Sequence, residues 1–407
     1  MNLIKKRIIK QLYFGKTLSG ADLSERIQRS LPITNKLLNE LKLAGDVVEL
    51  GYAPSTGGRR PMMYSLNKEY GYIVSIAMDQ LFTRIGILNM EHAFVTPVER
   101  HALNLETEPE ALTHLIGLIE QHILASGIDR NLVLGVGIGM PGFIDLEKGI
   151  NYSFFRGETG SILQKLEDRL QLPVYLDNDS SLVALAEYRF GAARNKKNVM
   201  VVNISWGVGL GMVLNGELFR GHNGFAGEFS HIPIFSSNKL CSCGKTGCLE
   251  TEASLLVLVE KAVRGIQEGK ITNLPRISIE QPEEACTAII QMALKGDKFC
   301  IELLYEIGYN IGRGIAILIH ILNPELIILS GRGAAAGKLW FAPIQQAINE
   351  HSIPRLAEHT SVEVSTVGNK DELYGAAALV MEHFDRETKK KNRTVGLLNP
   401  LTTGIYN

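Results

Sequence analysis

The stretch Ala226–Glu252, AGEFSHIPIFSSNKLCSCGKTGCLETE, constrains this chain more than any other. It carries Glu228, His231, Cys241, Cys243, Cys248 and Glu250, with the cysteines spaced CxCGxxGC and the histidine ten residues upstream. Thiolates and an imidazole in that spacing form one Cys3His set suited to tetrahedral zinc, so the expected ligands are His231, Cys241, Cys243 and Cys248. Four protein ligands leave no open position for a metal-bound water, which makes a structural staple the first reading. Ordinary buried thiols are the other. The cluster lies mid-chain, between a glycine-rich stretch and a helical one, so the metal would close a loop inside a larger domain.

At 407 residues the chain has room for roughly two or three domains, and 45% hydrophobic with 21% charged residues is usual for a soluble globular protein. No stretch reaches 18 apolar residues, and the N-terminus MNLIKKRIIKQLYFG lacks a small-residue cleavage site after an apolar core. The expected location is therefore the cytoplasm, with no membrane partner. Cys286 and Cys300 lie outside the cluster in helix-like sequence, which argues against a disulfide framework. The net charge of −1 hides an asymmetry: residues 1–66 hold 11 Lys/Arg against five Asp/Glu, a balance of +6, and the rest of the chain carries −7. A basic head on an acidic body suggests a polyanion partner for the head alone.

Within the head, Leu3, Ile4, Ile8 and Leu12 fall at helical spacing up to Gly15, and Ser19 is placed to cap a second helix from Gly20 or Ala21. Pro32 suits the first turn of a third helix, with Ile33, Leu37, Leu41 and Ala44 expected on its inner face. The other face shows Thr34, Asn35, Lys36 and Asn39, side chains that hydrogen-bond base edges and phosphates from the reading helix of a helix-turn-helix. A hairpin follows, Val47–Leu50 and Met62–Leu66, with Arg59 and Arg60 near its tip, placed for phosphates or the minor groove. The order is that of a winged helix-turn-helix; a basic protein-interaction domain is the alternative.

From residue 67 onward the pattern is α/β. Tyr72–Met78 and Thr83–Asn89 read as a hairpin, followed by a helix, the strand Leu132–Ile138, a helix over Ser161–Leu170 and the strand Val174–Leu176. That last strand runs into Asp177, Asn178 and Asp179, which suit either a ligand site or a helix cap. The strand Val199–Ile204 and the glycine run Trp206–Gly211 open a second series, with a hairpin strand expected at Met212–Leu214. Beyond the cysteines the chain is mostly helical to Ile321, then Glu325–Ser330 is a buried strand, and the last strong helix is Glu372–Glu387. Two hairpins, each followed by alternating helices and strands, imply a duplicated α/β body with a cleft between its halves. The expected boundaries are 1–66 for the head, 67–180 and 181–388 for the two lobes, and 389–407 for a solvated basic tail.

The residues CSCGKTGCLE, GEFSH, LDNDSSLVALAE and SWGVGLG together resemble the motifs of the ROK family, which groups sugar-responsive repressors with sugar kinases of the actin-like ATPase (ribonuclease H-like) fold. The N-terminal winged helix with its GGRRP wing is similar to that of the repressor branch. The resemblance implies that the Cys3His set binds zinc and that Asn178, Asp179, Glu228, His231 and Glu250 face a sugar. In the kinases Asp179 would be the base that takes the proton of the attacking hydroxyl.

One family element is missing. The kinases carry an aspartate followed by Gly-Gly-Thr in the first hairpin; here those places hold Ala77, Asp79, Gln80 and Leu81. A turn without glycine and with a carboxylate does not cradle a phosphate. Trp206 stands in the second loop where the family usually offers threonine, and Ser230 where it has glycine. The expectation is therefore no enzyme and no ATP or magnesium, but a repressor of sugar-metabolism genes. It would bind operator DNA as a homodimer or homotetramer and respond to a sugar or sugar phosphate. An active ATP-dependent sugar kinase carrying a DNA-binding head is the alternative.

Overall fold

The computed structural model describes residues 2–54, 60–155, 157–368 and 370–386. In the head, α1 (Leu3–Gly15) buries Ile8, Ile9 and Leu12. Next, β1 (Leu18–Ser19) leads into α2 (Gly20–Arg26), which starts on a reciprocal cap: Ser19 Oγ accepts the Asp22 N–H, and Asp22 Oδ2 accepts that of Ser19. Pro32 sits in the first turn of α3 (Leu31–Leu43), as its fixed φ favours. The strands β2 (Val47–Tyr52) and β3 (Met62–Leu66) complete an antiparallel sheet in the order β1-β3-β2. The inner face of α3 differs from the expected one: Thr34, Leu37, Leu38 and Leu41 are buried, and Ile33 and Ala44 are exposed. The apolar cluster under the head runs on into Leu88, Leu182 and Leu379, so head and body share one core.

The body repeats one sheet topology twice. In the first lobe β4 (Tyr72–Met78), β5 (Phe82–Leu88) and β6 (Glu99–Ala102) form an antiparallel meander, and α4 (Ala111–Ala125) crosses over to β7 (Val133–Met140), parallel to β4. A small hairpin, β8 (Ile144–Asp145) and β9 (Ile150–Asn151), and α5 (Ile162–Leu170) precede β10 (Val174–Asn178), which lies parallel to β7. The order is β10-β7-β4-β5-β6. After α6 (Asp179–Phe190) the second lobe gives β11 (Val199–Ile204), β12 (Val208–Leu214) and β13 (Glu217–Phe219) antiparallel. Four helices follow, α7 (Glu250–Ala253), α8 (Leu255–Gln267), α9 (Pro282–Leu294) and α10 (Lys298–Leu322), and then β14 (Leu326–Ser330) parallel to β11. The chain continues through α11 (Phe341–His351) and α12 (Pro354–Ala357) to β15 (Ser361–Val364) and closes with α13 (Asp371–His383). The second order, β13-β12-β11-β14-β15, is the first one over again. Parallel neighbours need long crossovers, which is why helices fill the gaps before β7, β10, β14 and β15.

Two boundaries depart from expectation. The glycine run is mostly strand, since β12 starts at Val208 and leaves only Ser205, Trp206 and Gly207 in the turn. And α13, assigned by sequence order to the second lobe, lies on β4 and β7 of the first. Small residues permit that return. A Cβ at Gly137 of β7 would meet the Ala376 carbonyl of α13 at 2.0 Å, and one at Gly375 would meet the Leu182 carbonyl of α6 at 2.0 Å. Meanwhile α6 sits on the second sheet, where a Cβ at Gly211 would approach Ser180 O to 2.3 Å. So α6 and α13, one per lobe, pack backbone to backbone at the junction.

Candidate functional site

A cleft of about 440 Å³ opens between the sheets at the carboxyl ends of β7, β10 and β11, where open α/β sheets collect ligands. Asp177, Asn178 and Asp179 stand at the β10–α6 junction. Buried Asp177 is held by Arg220, whose Nε and Nη2 donate to Oδ2 at 2.8 and 2.6 Å. Asn178 caps α6: its Oδ1 accepts the N–H groups of Ser180 and Ser181, and its Nδ2 donates to Gly142 O at 3.3 Å. Asn178 thus caps a helix and also lines the cleft. Asp179 accepts the N–H and hydroxyl of Ser180 through Oδ1, leaving Oδ2 for the cleft it lines. Removal from water, with the Glu372 carboxylate and then Glu228 adding to it, pushes the Asp179 carboxyl up to about 7 against the Ser180 hydrogen bonds. A half-buried carboxyl raised toward neutrality has the property of a general base, or of an acceptor for a ligand hydroxyl.

On the opposite wall Glu228, His231 and Glu250 line the same cleft. The loop that carries them is laced by backbone bonds, Phe235 N–H to Gly247 O and Cys241 N–H to Lys245 O. Gly244 and Gly247 take left-handed φ of 83° and 78°, and a Cβ at Gly247 would press on Phe235 O at 2.1 Å, so the CxCGxxGC glycines are structural. The ligand atoms of His231, Cys241, Cys243 and Cys248 lie within 4.8 Å of one another. Cys243 and Cys248 sulfurs are 3.6 Å apart, and His231 Nδ1 is 3.4 Å from Cys241 Sγ. Tetrahedral zinc with Zn–S of about 2.3 Å requires sulfur separations of about 3.8 Å, so this set fits a metal ion. The other ring nitrogen, Nε2, lies 3.7 Å from Glu228 Oε2. Burial raises the Glu228 carboxyl, Glu250 adding to the effect and His231 opposing it.

The far end of the cleft holds an ion pair. Asp79 Oδ1 accepts the N–H groups of Leu81 and Phe82 at 2.8 Å each, closing the β4–β5 turn upon itself. Its Oδ2 pairs with Arg332 Nη2 at 2.6 Å, while Arg332 Nη1 donates to Ser205 Oγ at 3.0 Å. The guanidinium lies 4.8 Å from the buried Trp206 ring. The turns of the two lobes are thus clasped together. Beneath them Arg84 pairs with buried Glu372 at 2.5 Å, and Asp371 accepts the Ser330 hydroxyl across the lobes. Sequence reasoning missed Arg332, Arg84, Glu372 and Arg220. The available hint for the first was an arginine between glycines at the end of β14.

In the head, Asn35, Lys36 and Asn39 share an exposed face of α3, and Arg60 is exposed beyond the hairpin. Thr34 does not join them: it is fully buried, and its hydroxyl donates to Ser30 O at 3.1 Å. That internal bond lets a polar side chain sit in the core and removes Thr34 as a nucleic-acid contact. Arg59 and the segment 389–407 lie outside the described residues.

Residues 88–383 match the ROK family. The chain is a member of the ROK family. Among ROK proteins it is 30% identical over 385 residues to the xylose repressor of Caldicellulosiruptor bescii, covering 93% of this chain and 95% of that one. It is 32% identical over 285 residues to the glucokinase of Halalkalibacterium halodurans, covering 69% and 86%. A solved ROK family transcriptional regulator, a homologue of the Escherichia coli MLC protein, superposes with a TM-score of 0.75 at 26% identity over 94% of this chain and 97% of the other. The match to the glucokinase covers 69% of this chain, those to the repressor and the regulator 93% and 94%. Among the described residues no helix is long and apolar enough to cross a membrane.

Proposed function

We propose that this chain is a cytoplasmic DNA-binding repressor of sugar-metabolism genes whose operator affinity is set by a sugar or sugar phosphate in the cleft. The observation that carries the reading is the asymmetry of that cleft. Its sugar end presents Asp179, Glu228 and Glu250 to a ligand, and its other end is bridged by Asp79 and Arg332. Residues 1–66 act as a winged helix-turn-helix, with Asn35, Lys36 and Asn39 toward base edges and Arg59 and Arg60 toward phosphates. Residues 67–180 with the returning α13 form one lobe, and the remainder of the body forms the other. Asn178, Asp179, Glu228, His231 and Glu250 hold the sugar hydroxyls; His231, Cys241, Cys243 and Cys248 hold a structural zinc that fixes the wall in place. The zinc supplies a cross-link when bound; His231 would take it through Nδ1 and keep Nε2 for Glu228 or a hydroxyl. A homodimer or homotetramer provides the paired heads an operator needs.

The proposed role excludes useful phosphoryl transfer, because a carboxylate and an arginine fill the place of a phosphate cradle. Asp179 near neutrality is the one observation on the side of a kinase. Both readings meet in a calorimetric screen of D-xylose, D-glucose, N-acetyl-D-glucosamine and their phosphates, with and without ATP, run beside selection of binding duplexes from a random pool. Binding of a sugar that alters affinity for the selected duplex supports the repressor. ATP turnover that vanishes in Asp179→Asn overturns it in favour of the kinase.

A further inference from the structure

The helices α6 and α13 both start at the cleft and both end at the head. Asp179 is the first residue of α6, and Glu372, whose carboxylate acts on Asp179, is the second of α13. At their other ends both meet α1. Arg189 of α6 lies 4.5 Å from the Phe14 ring, and Phe190 lies 6.1 and 6.3 Å from the rings of Phe14 and Tyr13. His92, from the turn after β5, fills the space between Tyr13 and Phe190 at 4.4 and 4.7 Å. On the α13 side, Lys10 donates to Glu382 O at 2.8 Å and to Asp385 Oδ1 at 2.9 Å, and Arg189 pairs with Glu382. So α1 straddles the seam between a helix seated on the second sheet and a helix seated on the first.

At its closest point that seam is backbone on backbone: the Leu182 carbonyl lies against Gly375 with no side chain between them, and the residues around it on α13 are the small Ala376, Ala377 and Ala378. The joint with the head carries unspent hydrogen-bonding capacity: Tyr13 Oη, His92 Nε2 and Arg189 Nε are buried with no hydrogen-bond partner among the described residues. Burial also holds the His92 ring neutral, its pKa lowered to about 4, so the joint has no fixed charge on that ring. Polar groups left unpaired in one packing favour a second packing that pairs them.

We propose that α6 and α13 carry the state of the cleft to the head: closing the lobes on a sugar shears α6 along α13, and α1, which grips the far end of each, reorients the head. This rests on the sugar-responsive repressor reading. A ligand that reaches from Asp179 and the Glu228–Glu250 wall to Gly142 and Tyr152 of the first lobe touches groups of both lobes, so its binding free energy acts on the seam, and linkage requires that operator binding act back on the sugar.

The test uses the full chain and four variants: Lys10→Gln and Asp385→Asn at the α13 joint, Phe190→Leu at the α6 joint, and Lys5→Gln as a control whose partner Glu40 lies within the head. Three quantities are measured for each. They are the affinity for D-xylose, D-glucose or N-acetyl-D-glucosamine by calorimetry, and the affinity for the selected duplex by fluorescence anisotropy without and with that sugar. For the unaltered chain the ratio of the two duplex affinities is expected at about 5–150. In the joint variants it falls toward 1 by about threefold or more while the separate sugar and sugar-free duplex affinities stay within about twofold, and Lys5→Gln keeps the original ratio. Joint variants that retain the full ratio overturn the proposal and leave the repressor reading standing. An unaltered chain that binds duplex with a ratio of 1 for every sugar overturns the repressor reading itself.

Discussion

At one end of the cleft the wall is Glu228, His231 and Glu250, carried on a loop knotted by three cysteines; at the other it is Asp79 and Arg332, one from each lobe. The carboxylates at the two ends are in opposite states. Asp79 is spent, with two N–H groups on one oxygen and a guanidinium on the other. Asp179 makes both of its hydrogen bonds through one oxygen and keeps the second for the cleft. A carboxylate has about four acceptor positions, so the acid left underused is the one that can take a ligand. The two ends of the cleft thus differ in how far the protein has satisfied its own polar groups.

The largest effect belongs to the staple of the sugar end. Cys243→Ser should lose about one metal ion per chain by elemental analysis and lower unfolding free energy by about 4 kcal/mol, since structural metal binding is folding energy. The Asp79–Arg332 end does not depend on sulfur, so chelation should weaken sugar binding without admitting ATP. Full metal content in the variant would remove the ligand set from the account.

Next comes the acid at the centre. Asp179→Asn should weaken sugar binding by about 10–100-fold in calorimetry, the equivalent of one hydrogen bond to a charged group, and leave sugar-free duplex binding unchanged. In the parent chain sugar affinity should climb from about pH 6 and level off above about pH 8, because the ionised carboxylate accepts the hydroxyl and its pKa is about 7. Stability runs the other way. The folded state holds this proton up to about 7 and the unfolded chain releases it near 3.8, so the contribution of Asp179 declines as pH rises through that window. Asparagine should abolish both dependences, and an affinity flat from pH 6 to pH 8 in the parent would refute the assignment.

How far the sequence foretold this comparison depends on the distance between partners. The metal set is legible because its three cysteines lie within eight positions and their spacing is itself the geometry. Asp179 is legible from a strand end followed by a helix. Arg332 pairs with Asp79 across 253 positions, and no local pattern carries that information. The face of α3 is ambiguous in the sequence for a different reason. Ile33 and Thr34 both recur with Leu37 and Leu41 at spacings of three, four or more, and a hydroxyl that satisfies itself on Ser30 makes Thr34 an acceptable core residue. The return of α13 to the first lobe is topology, written in glycines whose close contacts appear only when the sheets are assembled.

The other end of the cleft should respond less than the sugar end. Arg332→Met leaves Asp79 with its two N–H bonds but no cation and uncovers the Trp206 ring; the pair is half-buried, so a loss of about 1–3 kcal/mol in denaturant unfolding is expected. Sugar affinity should change by no more than about threefold, because the arginine touches none of the sugar-facing groups. A larger loss would mean that the two ends are one site.

The smallest effect separates the two functions of Asp79 itself. Asp79→Asn keeps an oxygen for the Leu81 and Phe82 N–H groups and so preserves the turn, while the amide nitrogen that replaces Oδ2 is a donor and cannot accept from Arg332, so the ion pair is lost and the guanidinium turns to water. The expected cost is under about 1 kcal/mol, and the denaturation midpoint should become less sensitive to salt than in the parent chain. Calorimetry with ATP should still give no heat, since neither charge state of this turn places backbone N–H groups toward a phosphate. Should the asparagine variant bind ATP, electrostatic repulsion by one carboxylate, and not the shape of the turn, would be what closes the nucleotide end. The contrast between the two ends would then come down to a single charge.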